Sequence, residues 1–296
     1  MIYIKIKNKI LLSGFLFTIF FTLIPSLTFA ASIYMTTDYQ PISVGDTIIV
    51  NVIMDPVNDN PNVVEGDVLI KSGSENIKIL ELSTAGSILT YWARNPSLDN
   101  SNSKVSFIGG KPNGFNTSGS LFKIVFLAEK EGEVVFSPSN IKTYNNDGNA
   151  TSIKVSVNSL AINVSPKNTI TKNEWLEVIS NDSQPPQQLS ATIGQDDAIF
   201  NGKKFITISA IDNQSGIDYY NVKEGEWPLV RSGKTYVLLD QNELSNIIIT
   251  AYDKAGNYSK IILRPAKVGI NYALWLLILI IVLFIILFVF YKIKRK

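Results

Sequence analysis

The chain has 296 residues, 27 Lys and Arg against 25 Asp and Glu, and neither histidine nor cysteine. Without imidazole or thiol it has no Ser-His-Asp apparatus, thiol nucleophile, Cys-ligated zinc or iron–sulfur cluster, and any exported domain must hold by its packed core, with or without a bound ion such as calcium. The net charge of +2 gathers at the two ends and leaves the middle mildly acidic, which argues against nucleic acid as a partner.

Residues 1–30 read as an export signal. Lys5, Lys7 and Lys9 form a basic start, Ile10 to Ile24 an apolar middle, and Pro25 breaks it. Thr28-Phe29-Ala30 offers small residues ahead of a cleavage point before Ala31. An uncleaved first anchor is the alternative, and either one places the following residues outside the cell.

Residues 31–164 form one compositional block. Runs rich in Ile, Val, Thr and Phe alternate with Gly, Asn, Asp, Ser and Pro clusters. Strands are predicted over Thr47–Met54, Val63–Ile70, Ile77–Leu82, Lys104–Ile108, Leu121–Ala128, Glu133–Phe136 and Ser152–Val164. No sustained amphipathic helix is present, so the expectation is an antiparallel sandwich. Val44-Gly45-Asp46 reads as a turn in which Asp46 bonds backbone amides. Gly109-Gly110 reads as a strand end that tolerates a bulge or a positive φ.

Several of these motifs follow one another in a recognisable order. They are Val44-Gly45-Asp46, Val64-Glu65-Gly66, Phe107-Ile108-Gly109-Gly110 and Pro112-Asn113-Gly114-Phe115. Gly119, Leu121, Ile124, Phe126, Ala128 and Gly132 come next, then Asn146-Asp147-Gly148. Over essentially the whole block the sequence resembles a cohesin domain. The resemblance implies a jelly-roll sandwich, related to some carbohydrate-binding modules, that recognises a dockerin module without catalysis. The matched positions set turns and core, so they transfer no contact residues.

Residues 165–183 are a polar linker in which Glu174-Trp175-Leu176 is expected to pack as a short turn. Gln184-Pro185-Pro186-Gln187 then stiffens the chain. Residues 184–265 are again β-patterned, with strands predicted over Lys204–Asp212, Ile217–Lys223, Tyr236–Leu239, Ser245–Asp253 and Tyr258–Leu263. The stretch from Ser215 to Asn257, with its Asp253-Lys254-Ala255-Gly256-Asn257 turn, resembles the immunoglobulin-like modules of bacterial surface proteins. The resemblance implies a small β-sandwich.

After a short spacer, Ala273 to Tyr291 is an unbroken apolar run with Tyr272, Trp275 and Tyr291 at its ends. About 20 such residues in a helix cross a ~30 Å hydrocarbon core. Lys292, Lys294, Arg295 and Lys296 follow in a basic tail, residues 292–296, expected on the cytoplasmic side. The fold class expected is therefore all-β, two sandwiches followed by one transmembrane helix. The localisation expected is a single-pass cell-membrane protein with its N-terminal domains extracellular.

Tyr91, Trp92, Arg94 and Asn95 are the candidate ligand contacts, because aromatic rings stack on sugars and Trp and Arg anchor interfaces. Cohesins often carry an aromatic here, which implies that at least one ring is core. Trp227 is a weaker candidate. No metal site is assigned. Asp55, Asp59, Asn60, Asp99, Asn100, Asn102 and Asn145 to Asn149 supply oxygens of the kind calcium takes, yet Asn and Asp also dominate turns for local reasons. Glu129, Glu131 and Glu133, or Asp196 and Asp197, read as solvated positions rather than a glycosidase pair, so no catalytic residue is assigned. Sequons at Asn116 and Asn149 matter only in a glycosylating host. The function expected is a membrane-anchored binding or scaffold protein with a dockerin-type partner. The alternative is a polysaccharide-binding surface module.

Overall fold

The computed structural model describes residues 31–264 and 272–294, and the expected export signal lies outside them. The chain divides into two units, residues 1–182 and 183–296.

The first unit is mostly β-sandwich. Its strands are β1 (Ala31–Thr36), β2 (Ile42–Ser43), β3 (Thr47–Asp55), β4 (Pro61–Ser72), β5 (Ile77–Ser83) and β6 (Tyr91–Leu98). They continue with β7 (Lys104–Gly110), β8 (Gly119–Ala128), β9 (Gly132–Asn145), β10 (Val155–Val157) and β11 (Leu160–Ser165). One sheet runs β10-β1-β3-β8-β5 and the other β2-β11-β9-β4-β7-β6. Most neighbours are antiparallel, but β1–β10 and β2–β11 are short parallel pairs. The sequence run Ser152–Val164 yields two strands because Asn158 breaks away, its amide donating to the Ile33 carbonyl at 3.0 Å.

Period-two alternation fills the space between the sheets. Ile48, Val50, Val52 and Met54 of β3 are buried, as are Val64, Val68 and Ile70 of β4. Phe107 meets Phe122 with ring centroids 5.0 Å apart, and Phe126 meets Phe136 at 5.7 Å. Each pair joins a strand of one sheet to a strand of the other.

Residues 165–182 are docked on this unit. Asp46 is buried; its Oδ2 accepts from the Ser43 amide at 2.8 Å and its Oδ1 from the Lys172 amide at 2.7 Å. The Thr47 amide donates back to the Lys172 carbonyl at 2.8 Å. Helix α1 (Glu174–Ser180) follows, capped by Asn173, whose side chain accepts from the Leu176 amide. Trp175 is buried, and Glu174 accepts from the Ile49 amide at 2.8 Å. That amide lies where β1 no longer covers β3, so the helix satisfies an otherwise exposed strand edge. Burial pushes the Glu174 carboxyl up, against the pull of the Ile49 amide.

The second unit contains β12 (Gln187–Gly194), β13 (Phe205–Ile211), β14 (Ile217–Glu224), β15 (Val230–Ser232), β16 (Thr235–Val237), β17 (Ile247–Asp253) and β18 (Tyr258–Leu263). Its sheets run β12-β13-β16 and β15-β14-β17-β18. Ile206, Ile208, Tyr220, Val222, Ile249 and Ala251 are the centre of its core. The turn expected at Asp253–Asn257 joins β17 to β18, with Asp253 accepting from the Asn257 amide at 2.8 Å. Buried Glu224 accepts from the Leu239 amide at 2.9 Å, from the Asp240 amide, and from the Tyr236 hydroxyl at 3.3 Å. Burial, with the Glu224 charge beside it, pushes the Tyr236 hydroxyl up to about 12.

Helix α2 covers Tyr272–Lys294, 23 residues. Taken over the described side chains alone, no helix is long and apolar enough to cross a membrane. In α2 the described side chains run unbroken only from 276 to 288, all exposed, about 20 Å of helix.

Replacing Asp46 with Ala strands one buried and one half-buried amide and releases the docked segment. The expected loss in the unfolding free energy of the first unit is about 3 kcal/mol, read by urea denaturation. In the second unit the raised Tyr236 pKa contributes stability that is complete below the unfolded value of 10.0 and is lost as pH rises through about 12. Tyr236→Phe is expected to flatten that alkaline limb in a denaturation series.

Candidate functional site

The outer face of β6, β7, β4 and β9 is built by cross-strand register. Tyr91 and Val63 both pair with Gly110, and Val63 pairs with Tyr144, giving one transverse row. The next row is Arg94, Ile108, Glu65 and Lys142, and the third is Ser97, Ser106, Asp67 and Ser139. On β4 and β7 the rows are two residues apart, so their side chains share one side of the sheet; on β6, and between Lys142 and Ser139 of β9, the step is three residues.

Within the rows the polar groups are fixed by one another. Lys142 Nζ lies 3.0 Å from Glu65 Oε1, and Glu65 holds the Lys142 ammonium above its ordinary pKa. Ser106 Oγ donates to Asp67 Oδ1 at 2.6 Å, and Asn140 Nδ2 donates to Oδ2 at 2.8 Å. Burial pushes the Asp67 carboxyl up. The hydrogen bonds from Ser106 and Asn140, with Lys104 and Arg94 nearby, outweigh it and hold the group below its ordinary value.

Two irregularities shape the face. β9 bulges opposite Glu65–Asp67, which puts Asn140 at φ 53° and swings its amide to Asp67. Gly66 sits against that bulge, where an added Cβ would lie 2.4 Å from Ile141 Cδ1. β6, the edge strand, shifts register twice, between Trp92 and Arg94 and between Arg94 and Ser97. The bulges and Pro96 protect an edge that would otherwise invite strand pairing.

The four sequence candidates do not share one surface. Tyr91 is 64% exposed at the end of the first row, and Arg94 and Asn95 are exposed on β6. Trp92 points inward and packs against the core beside Leu89 and Gly109. A Cβ on Gly109 would lie 2.9 Å from the Trp92 ring. The Gly109-Gly110 pair is thus required for close approach, and neither residue has a positive φ. Glu65, Asp67 and Lys142 were not singled out from sequence. Their only local signal is period-two spacing, and the register that gathers them is long-range.

The loop oxygens weighed for calcium are engaged in turns. Asp55 accepts from the Val57 amide at 3.0 Å, Asp99 from the Ser103 and Lys104 amides at 2.9 and 3.1 Å, and Asp147 from the Asn149 amide at 2.9 Å. Elsewhere, Asp212 and Asp253 of the second unit are buried with carboxylate oxygens within 4.8 Å of one another. Glu129, Glu131, Glu133, Asp196 and Asp197 are all exposed, unlike a catalytic pair enclosed in a cleft. Trp227 is half exposed in the loop after β14.

No family model matches the chain, and no curated protein matches it. Among solved structures the chain is similar to cohesin modules. One is a non-cellulosomal cohesin from the hyperthermophilic archaeon Archaeoglobus fulgidus, 15% identical, covering 46% of this chain and 92% of that one, with a TM-score of 0.39. A second belongs to a type I cohesin–dockerin complex from Clostridium thermocellum, 17% identical over 45% of this chain and 99% of that one, TM-score 0.38. A third is the cohesin module of a family 33 glycoside hydrolase from Clostridium perfringens, 10% identical over 46% and 99%, TM-score 0.38.

The lowered Asp67 pKa fixes the sign of an acid effect. Its contribution to stability is complete above the unfolded value of 3.8 and is lost as pH falls through the lower folded value. Asp67→Asn is expected to shallow the acid limb of the first unit's denaturation profile, and an unchanged limb would contradict this.

Proposed function

We propose that the first unit is a non-catalytic binding module that recognises a protein partner of the dockerin kind through the outer face of β6, β7, β4 and β9. The observation that carries this reading is the face itself. It sets exposed Tyr91 and Val63 in one row beside a row that carries Arg94, Glu65 and Lys142. Its side chains are held in place before any partner arrives, which lowers the entropic cost of association. Apolar anchors flanked by fixed polar groups are what a protein interface requires. The cohesin motifs in the sequence supply the dockerin class.

A polysaccharide is the second reading, favoured by one observation. The Tyr91 ring is 64% exposed on the edge strand, where an aromatic face can stack on a sugar ring.

The second unit serves as a spacer, and the apolar run Ala273–Tyr291 holds both units at the outer surface of the cell membrane. Supporting this are the length of the run, its terminal aromatic residues, the basic tail, and a helical backbone over Tyr272–Lys294.

Titration of the full chain against a panel of dockerin modules and soluble polysaccharides tests the reading. Tyr91→Ala and Arg94→Glu are each expected to weaken dockerin binding at least tenfold, about 1.4 kcal/mol, without changing thermal stability. Undiminished dockerin affinity in both variants would remove the face from the account. Loss of polysaccharide binding alone in Tyr91→Ala would favour the second reading.

A further inference from the structure

We propose that the pole of the second unit from which the chain leaves toward α2 is a lipid-contacting surface that seats in the headgroup layer. The proposal rests on the membrane-anchor reading of Ala273–Tyr291.

Strand register assigns every loop of this unit to one of two poles. Gly194 pairs with Phe205, and Phe205 with Val237, which brings loops 195–204 and 238–246 together. Glu224 pairs with Ile247, and Ile247 with Leu263, which adds loop 225–229 and the chain exit. Hydrogen bonds join these loops. The Leu238 amide donates to Lys204 O at 3.0 Å, and the Gly225 amide to Asn246 O at 2.8 Å.

This pole carries exposed apolar side chains from all three loops. Ile199, Phe200, Trp227, Leu229, Leu239 and Leu244 are each between 42% and 60% exposed. The opposite pole holds Asp212–Gly216, Gly233-Lys234 and Lys254–Asn257, none of them an exposed large hydrophobic, and its one such neighbour among the described residues of these turns is Tyr258, 61% exposed at the start of β18. The asymmetry is difficult to assign to chance, because single exposed apolar residues scatter while patches mark contacts. The first loop also holds Phe200 at φ 51° and Asn201 at φ 55°. A bulky residue in the left-handed region is uncommon and costly, and here the Phe200 ring packs on Phe205 with centroids 5.2 Å apart while it stays 42% exposed.

The occupant follows from chain length. Arg264 to Tyr272 is eight Cα steps, at most about 28 Å fully extended. The pole that bears the apolar loops is therefore the one tethered within that distance of the expected span. Trp and Leu suit the boundary between headgroups and acyl chains. Charge does not steer this contact. Asp196, Asp197, Glu226, Asp240 and Glu243 lie in the same loops, with Lys203 and Lys204 as their cations and Arg264 at the chain exit, and Lys204 is paired to Glu243 at 2.7 Å. A zwitterionic surface fits this pole better than an anionic one.

The chain has no cysteine, so a nitroxide can be placed at one position at a time. Leu244→Cys, Lys234→Cys and Ile285→Cys are made in the full chain and reconstituted in phosphatidylcholine bilayers. Collision rates with oxygen and with a water-soluble nickel complex are then compared. The expected oxygen-to-nickel ratio is severalfold higher at 244 than at 234, and highest at 285. Leu229→Ser with Leu239→Ser is expected to return the ratio at 244 toward that at 234. A lipid-like ratio at 285 with equal, aqueous ratios at 244 and 234 overturns this proposal and leaves the anchor standing. Protection at 244 from both reagents indicates a protein contact and also overturns it. An aqueous ratio at 285 overturns the anchor reading and this one with it.

Discussion

The first unit depends on the phenylalanine pairs that close its two sheets on each other. Phe107 and Phe136 come from one sheet, Phe122 and Phe126 from the other, and all four are almost completely buried. Each contributes about 2–3 kcal/mol by burial, so together they approach the ~5–15 kcal/mol net stability of a whole domain. With no disulfide available, this packing carries the load that cross-links carry in many small exported domains. It also governs the proposed binding face. Every second residue of β4 and β7 is committed inward, so the alternate residues are free to be Glu65, Asp67 and Ser106.

Polar anchoring does the corresponding work at the margins. Asp46 and Glu174 tie the segment after β11 to β3 through backbone amides. Glu224 does the same for the 238–241 turn of the second unit. In each case a carboxylate satisfies amides that strand pairing leaves over, and its own burial is offset by charge-assisted hydrogen bonds. The segment read from sequence as a linker is thereby part of the first unit. Glu174-Trp175-Leu176 was legible as a turn that packs against a neighbour, but the neighbour was not, because the partners of Lys172 and Glu174 lie more than a hundred residues earlier in the chain.

Long strands with clear alternation were legible, as β3, β8 and β17 show. Most strands that escaped were edges or short pieces, but β1 escaped too, although it alternates cleanly and lies between β10 and β3. β6 reads YWARNPSL, with a proline and three polar residues; its bulges and single-sided pairing tolerate that composition. β12 and β15 are similarly polar edges. The candidate face was half legible. Tyr91 and Arg94 announce themselves as chemistry, and Trp92 announces itself equally but is spent on the core against Gly109. Glu65 and Lys142 carry no local mark, since only the pairing of β4 with β9 makes them neighbours. The sequence contained the apolar residues of 195–204, 225–229 and 238–246, but not their convergence on one pole.

Backbone hydrogen exchange of the full chain, with and without a dockerin module that binds it, tests the central claim most directly. The account predicts slowed exchange in β6, β7 and β4, with β1, β3 and β8 unchanged. Slowing confined to the β10-β1-β3-β8-β5 sheet, or to the loops of the second unit, would contradict it.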